Sequence, residues 1–162
     1  MDDPACQDSA ALAISREMLA AAVQQLADID VQKPVLESLL DAHMAVIRDI
    51  GAGMGTVTFE EMKFMGKAIW SSTELQQRIA AQRAEILSPV LADRLGTSKT
   101  DRRVQYVIKL WSAVLAATYF GVLDRRGNYK PGIELETPTD FHDRLAEAYR
   151  IVVGRPTTDR DE

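Results

Sequence analysis

Metal-binding and thiol-bearing residues are scarce in this chain. Its 162 residues include one cysteine and two histidines. Cys6 cannot form a disulfide within the chain, and no histidine lies near it in sequence to make it a nucleophile. Neither His43 nor His142 has a glutamate three positions before it, as the Glu-x-x-His pairs of a di-iron bundle require. We therefore predict no metal site and no cofactor.

Motifs of catalysis are also missing. The sequence has no phosphate-binding glycine loop, no dinucleotide-binding fingerprint and no nucleophile elbow. Pairs of acids such as Glu60 and Glu61 fit a solvated helix face better than an acid-base site. We expect no catalytic residue and a protein that is not an enzyme.

Positive charge is in deficit, and long apolar runs are absent. There are 24 acidic residues against 19 lysines and arginines, a net charge of −5, whereas neutralising phosphates requires clustered cations. No apolar run approaches the roughly 20 residues that cross a bilayer, and the start MDDPACQDS lacks the features of a signal peptide. We predict a cytoplasmic protein without membrane contact and without direct DNA contact.

What the sequence does have is clear helix punctuation. Capping hydroxyls stand three positions before an acid or amide at Thr58, Thr73, Ser98 and Thr137, and Pro138 suits a first helical turn. With glycine stops, these signals predict helices near residues 8–27, 34–50, 59–71, 74–95, 100–124 and 138–153. No stretch alternates in the way that a half-buried strand requires. The prediction is an all-α, single-domain bundle over residues 10–153, with a flexible N-terminus at 1–9, a loop at 125–136 and a disordered tail at 154–162.

Two helices suggest where a cavity could form. His43 lies in the apolar stripe of the second helix, so it faces inward either as a satisfied core group or as a ligand contact. Pro89 interrupts the hydrogen bonding of the fourth helix and predicts a kink, which either opens space or merely follows the core.

The fifth helix carries two neighbouring apolar stripes that cover more than half of its circumference. Such an arc predicts burial on two sides, one of them against a second subunit in an isologous four-helix interface with the last helix. The predicted homodimer interface consists of Leu110, Ala113, Val114, Ala117, Gly121, Phe141, Leu145, Ala148 and Val152.

The start and stop signals around the fourth helix resemble those of a known family. Ser71-Ser72-Thr73-Glu74-Leu75, followed by Gln77-Arg78, precedes a long helix that closes with Ala92-Asp93-Arg94-Leu95-Gly96. This order resembles the C-terminal ligand-binding and dimerising domain of TetR-family transcriptional regulators, loosely over residues 10–153. Thr73 stands where that family usually has proline. Residues 1–20 do not supply the family's helix-turn-helix, which leaves open an excised domain, a late gene start or a natural stand-alone variant.

The resemblance implies an effector-sensing domain that binds a small hydrophobic molecule inside the bundle, with DNA contacted only through the helix-turn-helix. The implied pocket consists of His43, Met44, Ile47, Met62, Met65, Trp70, Ile86, Val90, Tyr106, Ile108 and Trp111, with His43 and Tyr106 as polar contacts. The alternative is a stand-alone helical dimerisation module without a ligand. A cavity of several hundred Å³ would favour the sensor, and a filled core would favour the module.

Overall fold

The architecture is an all-helical bundle. The computed structural model describes residues 3–120, 122–123, 129–130 and 137–154. Within these ranges the helices are α1 (Pro4–Ala27), α2 (Val35–Gly51), α3 (Phe59–Ser71), α4 (Thr73–Leu95), α5 (Arg102–Phe120) and α6 (Pro138–Val152). Two residues of β1 (Val122–Leu123) pair antiparallel with two of β2 (Tyr129–Lys130). The prediction of an all-α bundle of about six helices is confirmed.

Two helix ends differ from the prediction by four residues, and the others agree to within two. Helix α1 begins at Pro4 rather than at residue 8, because the side chain of Asp3 accepts a hydrogen bond from the Ala5 N–H and starts the helix earlier. Helix α5 ends at Phe120 rather than at residue 124, and β1 follows it. The predicted loop at 125–136, apart from β2, and the tail from 155 onward lie outside the described residues.

Two predicted caps are confirmed as reciprocal capping boxes. The Glu61 N–H donates to Thr58 Oγ1 over 3.1 Å, and the Thr58 N–H donates to Glu61 Oε2 over 3.0 Å. Thr137 and Asp140 form the same arrangement at the start of α6. Each box satisfies helix N–H groups that have no partner within the helix.

The other two caps lie on different residues, one position before Thr73 and three positions after Ser98. Only Ser72 separates α3 from α4, and its Oγ, rather than that of Thr73, accepts from the Leu75 N–H over 3.1 Å. At α5 the cap is Asp101 instead of Ser98, since Asp101 Oδ1 accepts from the Arg103 N–H over 2.8 Å. Serine and aspartate are among the strongest caps, so a nearby residue of that kind can take the position.

Helix α5 lies at the centre of the bundle. It packs against α2, α3, α4 and α6 of its own chain. Most described residues of its two apolar stripes are buried there, namely Val104, Val107, Ile108, Trp111, Val114, Leu115 and Thr118, while Leu110 is half-buried. The wide apolar arc is thus accounted for within one chain.

Helix α4 continues through Pro89 and ends at Gly96, whose φ of 65° and ψ of 38° are left-handed. That conformation favours glycine, which has no Cβ to clash. A smaller apolar cluster lies where α1, α3 and the first half of α4 meet, formed by Ala11, Met65, Ile69, Leu75 and Ile79. This cluster borders the site described next.

Candidate functional site

A small pocket lies where all six helices converge. Its volume is about 40 Å³, and each helix contributes a pair of residues one turn apart. The pairs are Ser15 and Leu19, His43 and Ile47, Met65 and Ile69, Ile79 and Arg83, Leu115 and Tyr119, and Phe141 and Leu145, with Met18 as a thirteenth lining residue. Residues at i and i+4 lie on one face of a helix, so each helix has one face toward the pocket.

The walls are mostly apolar. Nine of the lining side chains are aliphatic, thioether or phenyl groups, and the four polar ones are Ser15, His43, Arg83 and Tyr119. Ligand sites commonly combine apolar walls with a few converging polar groups. The chemistry of the pocket therefore depends on these four side chains.

His43 is buried and held in one tautomer. Its Nδ1 lies 2.8 Å from the Leu39 carbonyl oxygen, which can only accept, so Nδ1 carries the proton. Burial lowers the pKa of His43 from 6.5 to about 4, against the raising effect of the Leu39 bond and with a further lowering by the positive charge of Arg83. The ring is thus neutral near pH 7, and Nε2 is a hydrogen-bond acceptor. The imidazole ring of His43 also contacts Trp111, and the centroids of the two rings are 4.6 Å apart.

Arg83 is the cation of the pocket. Its Nη1 donates to Ser112 Oγ over 3.0 Å, while its buried Nε has no hydrogen-bond partner among the described residues. Burial lowers the pKa of Arg83 to about 10, which still leaves it charged near neutral pH. Described ion pairs include Lys33–Asp41, Lys63–Glu60, Arg103–Asp101 and His142–Asp143, and none of these four includes Arg83. Arg83 therefore has a single hydroxyl acceptor and no described counter-ion.

Tyr119 supplies a neutral hydroxyl. Burial raises the pKa of its phenol well above the usual value, with a smaller opposite effect from Arg83. The ring packs edge-on against Phe141, with centroids 5.2 Å apart. On its other side a Cβ at Gly66 would lie 3.3 Å from Tyr119 Cδ1, so glycine allows α3 to approach the ring closely. The tyrosine is fixed between α3 and α6.

The structure brings only part of the predicted pocket together. Three predicted residues, His43, Ile47 and Met65, line the observed pocket, and Trp111 contacts His43. Of the others, Met44, Met62 and Ile108 are buried in the core, Ile86 and Val90 are half-buried beside it, and Trp70 and Tyr106 are 43% and 64% exposed. The pocket lies along the first half of α4, away from Pro89.

Sequence reasoning missed the two most distinctive polar residues. Arg83 follows Leu75 and Ile79 at four-residue intervals, so the same helical periodicity places it on the inner face of α4. Tyr119 follows Leu115 in the same way on α5. A charged side chain in register with an apolar stripe is the signal that would have identified Arg83.

The predicted interface residues occupy different environments. Val114, Phe141, Leu145 and Ala148 are buried by the chain's own core. Leu110, Ala117 and Val152 are half-buried, Ala113 is exposed, and Gly121 lies outside the described residues. Dimerisation through α5 and α6 stays a prediction, and the four buried side chains offer no surface to a partner in this conformation.

Two wider clefts open nearby on the surface. One, of about 430 Å³, is lined by Ile47, Arg48, Gly51, Pro138, Thr139 and His142, and the other, of about 540 Å³, is centred on Arg48 and Asp41. Ile47 lines both the first cleft and the inner pocket. A single side chain thus borders the two spaces.

Other kinds of site find no support in the described residues. Across residues 3–154, leaving out the gaps, no three histidine, cysteine or acidic side chains form a group that could hold a metal ion. None of the helices that the structure describes is long and apolar enough to span a membrane. No protein-family model, curated protein or solved structure matches this chain.

Proposed function

We propose that this chain is an effector-sensing domain that binds a small, largely apolar molecule in the pocket at the centre of its helices. One observation carries the proposal: His43, Arg83 and Tyr119 face an apolar-walled space on which all six helices converge. A core built only for stability would contain apolar groups or fully hydrogen-bonded polar groups. Arg83 is neither, which is what a site awaiting a ligand would show.

The pocket in this conformation is smaller than its ligand. A volume of about 40 Å³ holds a few waters, whereas ligand sites commonly measure roughly 300–1,000 Å³. Binding must therefore move the walls. Met18 and Met65 are unbranched and can change rotamer at low cost, and Ile47 borders both the pocket and the 430 Å³ cleft.

Such a movement is the physical basis of sensing. A ligand that binds the open arrangement better than the closed one shifts the population toward it by its difference in affinity. Because each helix contributes to the pocket, opening it would change their relative positions. Following the resemblance to TetR-family regulators, we propose that this change is transmitted through a homodimer to attached DNA-reading segments that are not in this sequence.

The second candidate is a helical dimerisation module without a ligand. The small pocket volume favours it, because a nearly filled core needs no occupant. In that case the polar groups of the pocket would be hydrated, and no apolar compound would bind inside.

Tryptophan fluorescence distinguishes the two. Trp111 is fully buried against His43, and Trp70 is exposed, so a Trp70→Phe variant leaves one tryptophan beside the pocket. The sensor predicts a saturable, 1:1 change in Trp111 emission with some member of a panel of apolar compounds. It also predicts that filling the pocket by Ser15→Val abolishes the change. If no compound in the panel binds, the module is the better account.

A further inference from the structure

We infer that the effector of this site is a carboxylate with an apolar tail, whose carboxylate pairs with Arg83. The inference deepens the proposed function and rests on it. It concerns the chemical class of the ligand and starts from the environment of one guanidinium.

Arg83 is a half-buried cation whose buried Nε has no hydrogen-bond partner among the described residues. A charge removed from water is expensive unless it is paired and its hydrogen bonds are satisfied. Among the described residues Arg83 has one acceptor, the uncharged Ser112 Oγ, and the pocket lining contains no aspartate or glutamate. The walls thus hold one full positive charge with nothing negative opposite it.

Arg94 on the same helix shows what a satisfied structural arginine looks like in this protein. Its Nη1 donates to the carbonyl oxygens of Leu26 and Ile29, and its Nη2 donates to the Asp30 carbonyl oxygen and to Ser38 Oγ. The Nε of both arginines is buried without a partner, so the difference lies in the terminal nitrogens. Within the described part of the chain, Arg94 has four acceptors and Arg83 has one.

The charge balance favours a monoanion. His43 is neutral near pH 7 and Tyr119 keeps its proton, so Arg83 is the only formal charge in the lining. One carboxylate neutralises it, whereas a phosphate dianion would leave a buried negative charge. A carboxylate also has the planar pair of oxygens that a guanidinium binds with two parallel hydrogen bonds.

The rest of the lining sets the nature of the tail. Apart from Ser15, His43, Arg83 and Tyr119, every lining residue is apolar and unable to hydrogen-bond strongly through its side chain. Polar substituents along the tail would lose their water without gaining partners. An aliphatic or aromatic tail fits these walls.

The test compares three probes with the same tail and different heads: decanoate, decanol and decylamine, each below its micelle concentration. Affinities are measured by Trp111 fluorescence in the Trp70→Phe background and by calorimetry. Three further proteins carry Arg83→Met, Arg83→Gln or, as the matched control, Arg78→Met, since Arg78 is an exposed arginine on the same helix. If Arg83→Met does not fold, Arg83→Gln still removes the charge and retains a polar side chain.

With Arg83 present, decanoate should bind at least about tenfold more tightly than decanol, since hydrogen bonds to charged groups carry that much free energy, and decylamine should bind most weakly. Arg83→Met and Arg83→Gln should remove the preference for decanoate while changing decanol affinity by less than about twofold, and Arg78→Met should change neither.

If decanoate and decanol bind equally, or if the preference survives the loss of Arg83, the inference is overturned while the proposed function stands. If none of the three probes binds, and none of the wider panel does, the proposed function fails with it.

Discussion

Two of the three arginines of helix α4, Arg83 and Arg94, are eleven positions apart in sequence and have opposite environments. Arg94 binds the last turn of α1, the segment that connects α1 to α2, and the first turn of α2 through four hydrogen bonds to oxygen atoms. Arg83 faces an apolar pocket, and the one acceptor that the described residues offer it is the hydroxyl of Ser112. A half-buried arginine therefore indicates a ligand only where the chain leaves its donors unused.

The largest expected effect on stability comes from removing Arg94. Replacing Arg94 by methionine should lower the free energy of unfolding by about 3–4 kcal/mol, because several oxygen atoms lose their donor together. Urea denaturation measures this change. A loss below about 1 kcal/mol would mean that water replaces the guanidinium easily and that the two arginines are less different than they look.

The next effect tests the neutral state of His43 beside Arg83. The pKa of His43 falls from 6.5 to about 4 on folding, so the unfolded chain binds a proton between these pH values that the folded chain does not. Stability is therefore complete above pH 6.5 and falls as the pH drops toward 4, by about 3 kcal/mol in total from this residue.

Chemical denaturation across that pH range, with His43→Leu as the comparison, isolates this contribution. The variant should lose that part of the pH dependence and keep the part due to carboxylates. An unchanged pH profile would show that His43 titrates normally and that the pocket is wetter than its apolar walls suggest.

A smaller effect on stability tests how much one acceptor of Arg94 contributes. Ser38 is fully buried, accepts from Arg94 Nη2 over 3.1 Å and donates to the Pro34 carbonyl oxygen over 3.0 Å. Ser38→Ala should cost about 1 kcal/mol in urea denaturation, since Arg94 keeps its three carbonyl acceptors. A cost equal to that of Arg94→Met would instead place most of the stabilisation in this one hydroxyl.

Most of the fold could be predicted from sequence because its signals are local. Thr58 and Thr137 are followed three residues later by acids that complete their caps, and Gly96 ends α4 as its type suggests. Where two caps adjoin, as at Ser72 and Thr73, local preference does not choose between them. The choice depends on how few residues separate α3 from α4.

The site was harder to predict because the role of each polar residue depends on contacts with residues far away in the sequence. Arg83 and Arg94 are the same residue type on one helix, and Arg94 differs only because α1 and its connection to α2 bring carbonyl groups from 64 to 68 positions away. Trp70 was expected to face inward, but it lies in the last turn of α3 and is exposed. Helical periodicity predicts which face of a helix is buried, but it does not predict which residues of other helices contact that face.

The most direct test of the central claim is the free energy of unfolding of Arg83→Met without any ligand. If Arg83 is kept for an external anion, the substitution removes a half-buried charge that has no counter-ion among the described residues, and stability should rise by about 1–2 kcal/mol. If Arg83 instead has a structural partner within the chain, the same substitution should lower stability by about 3 kcal/mol or more, as at Arg94, and the account of the pocket would be contradicted.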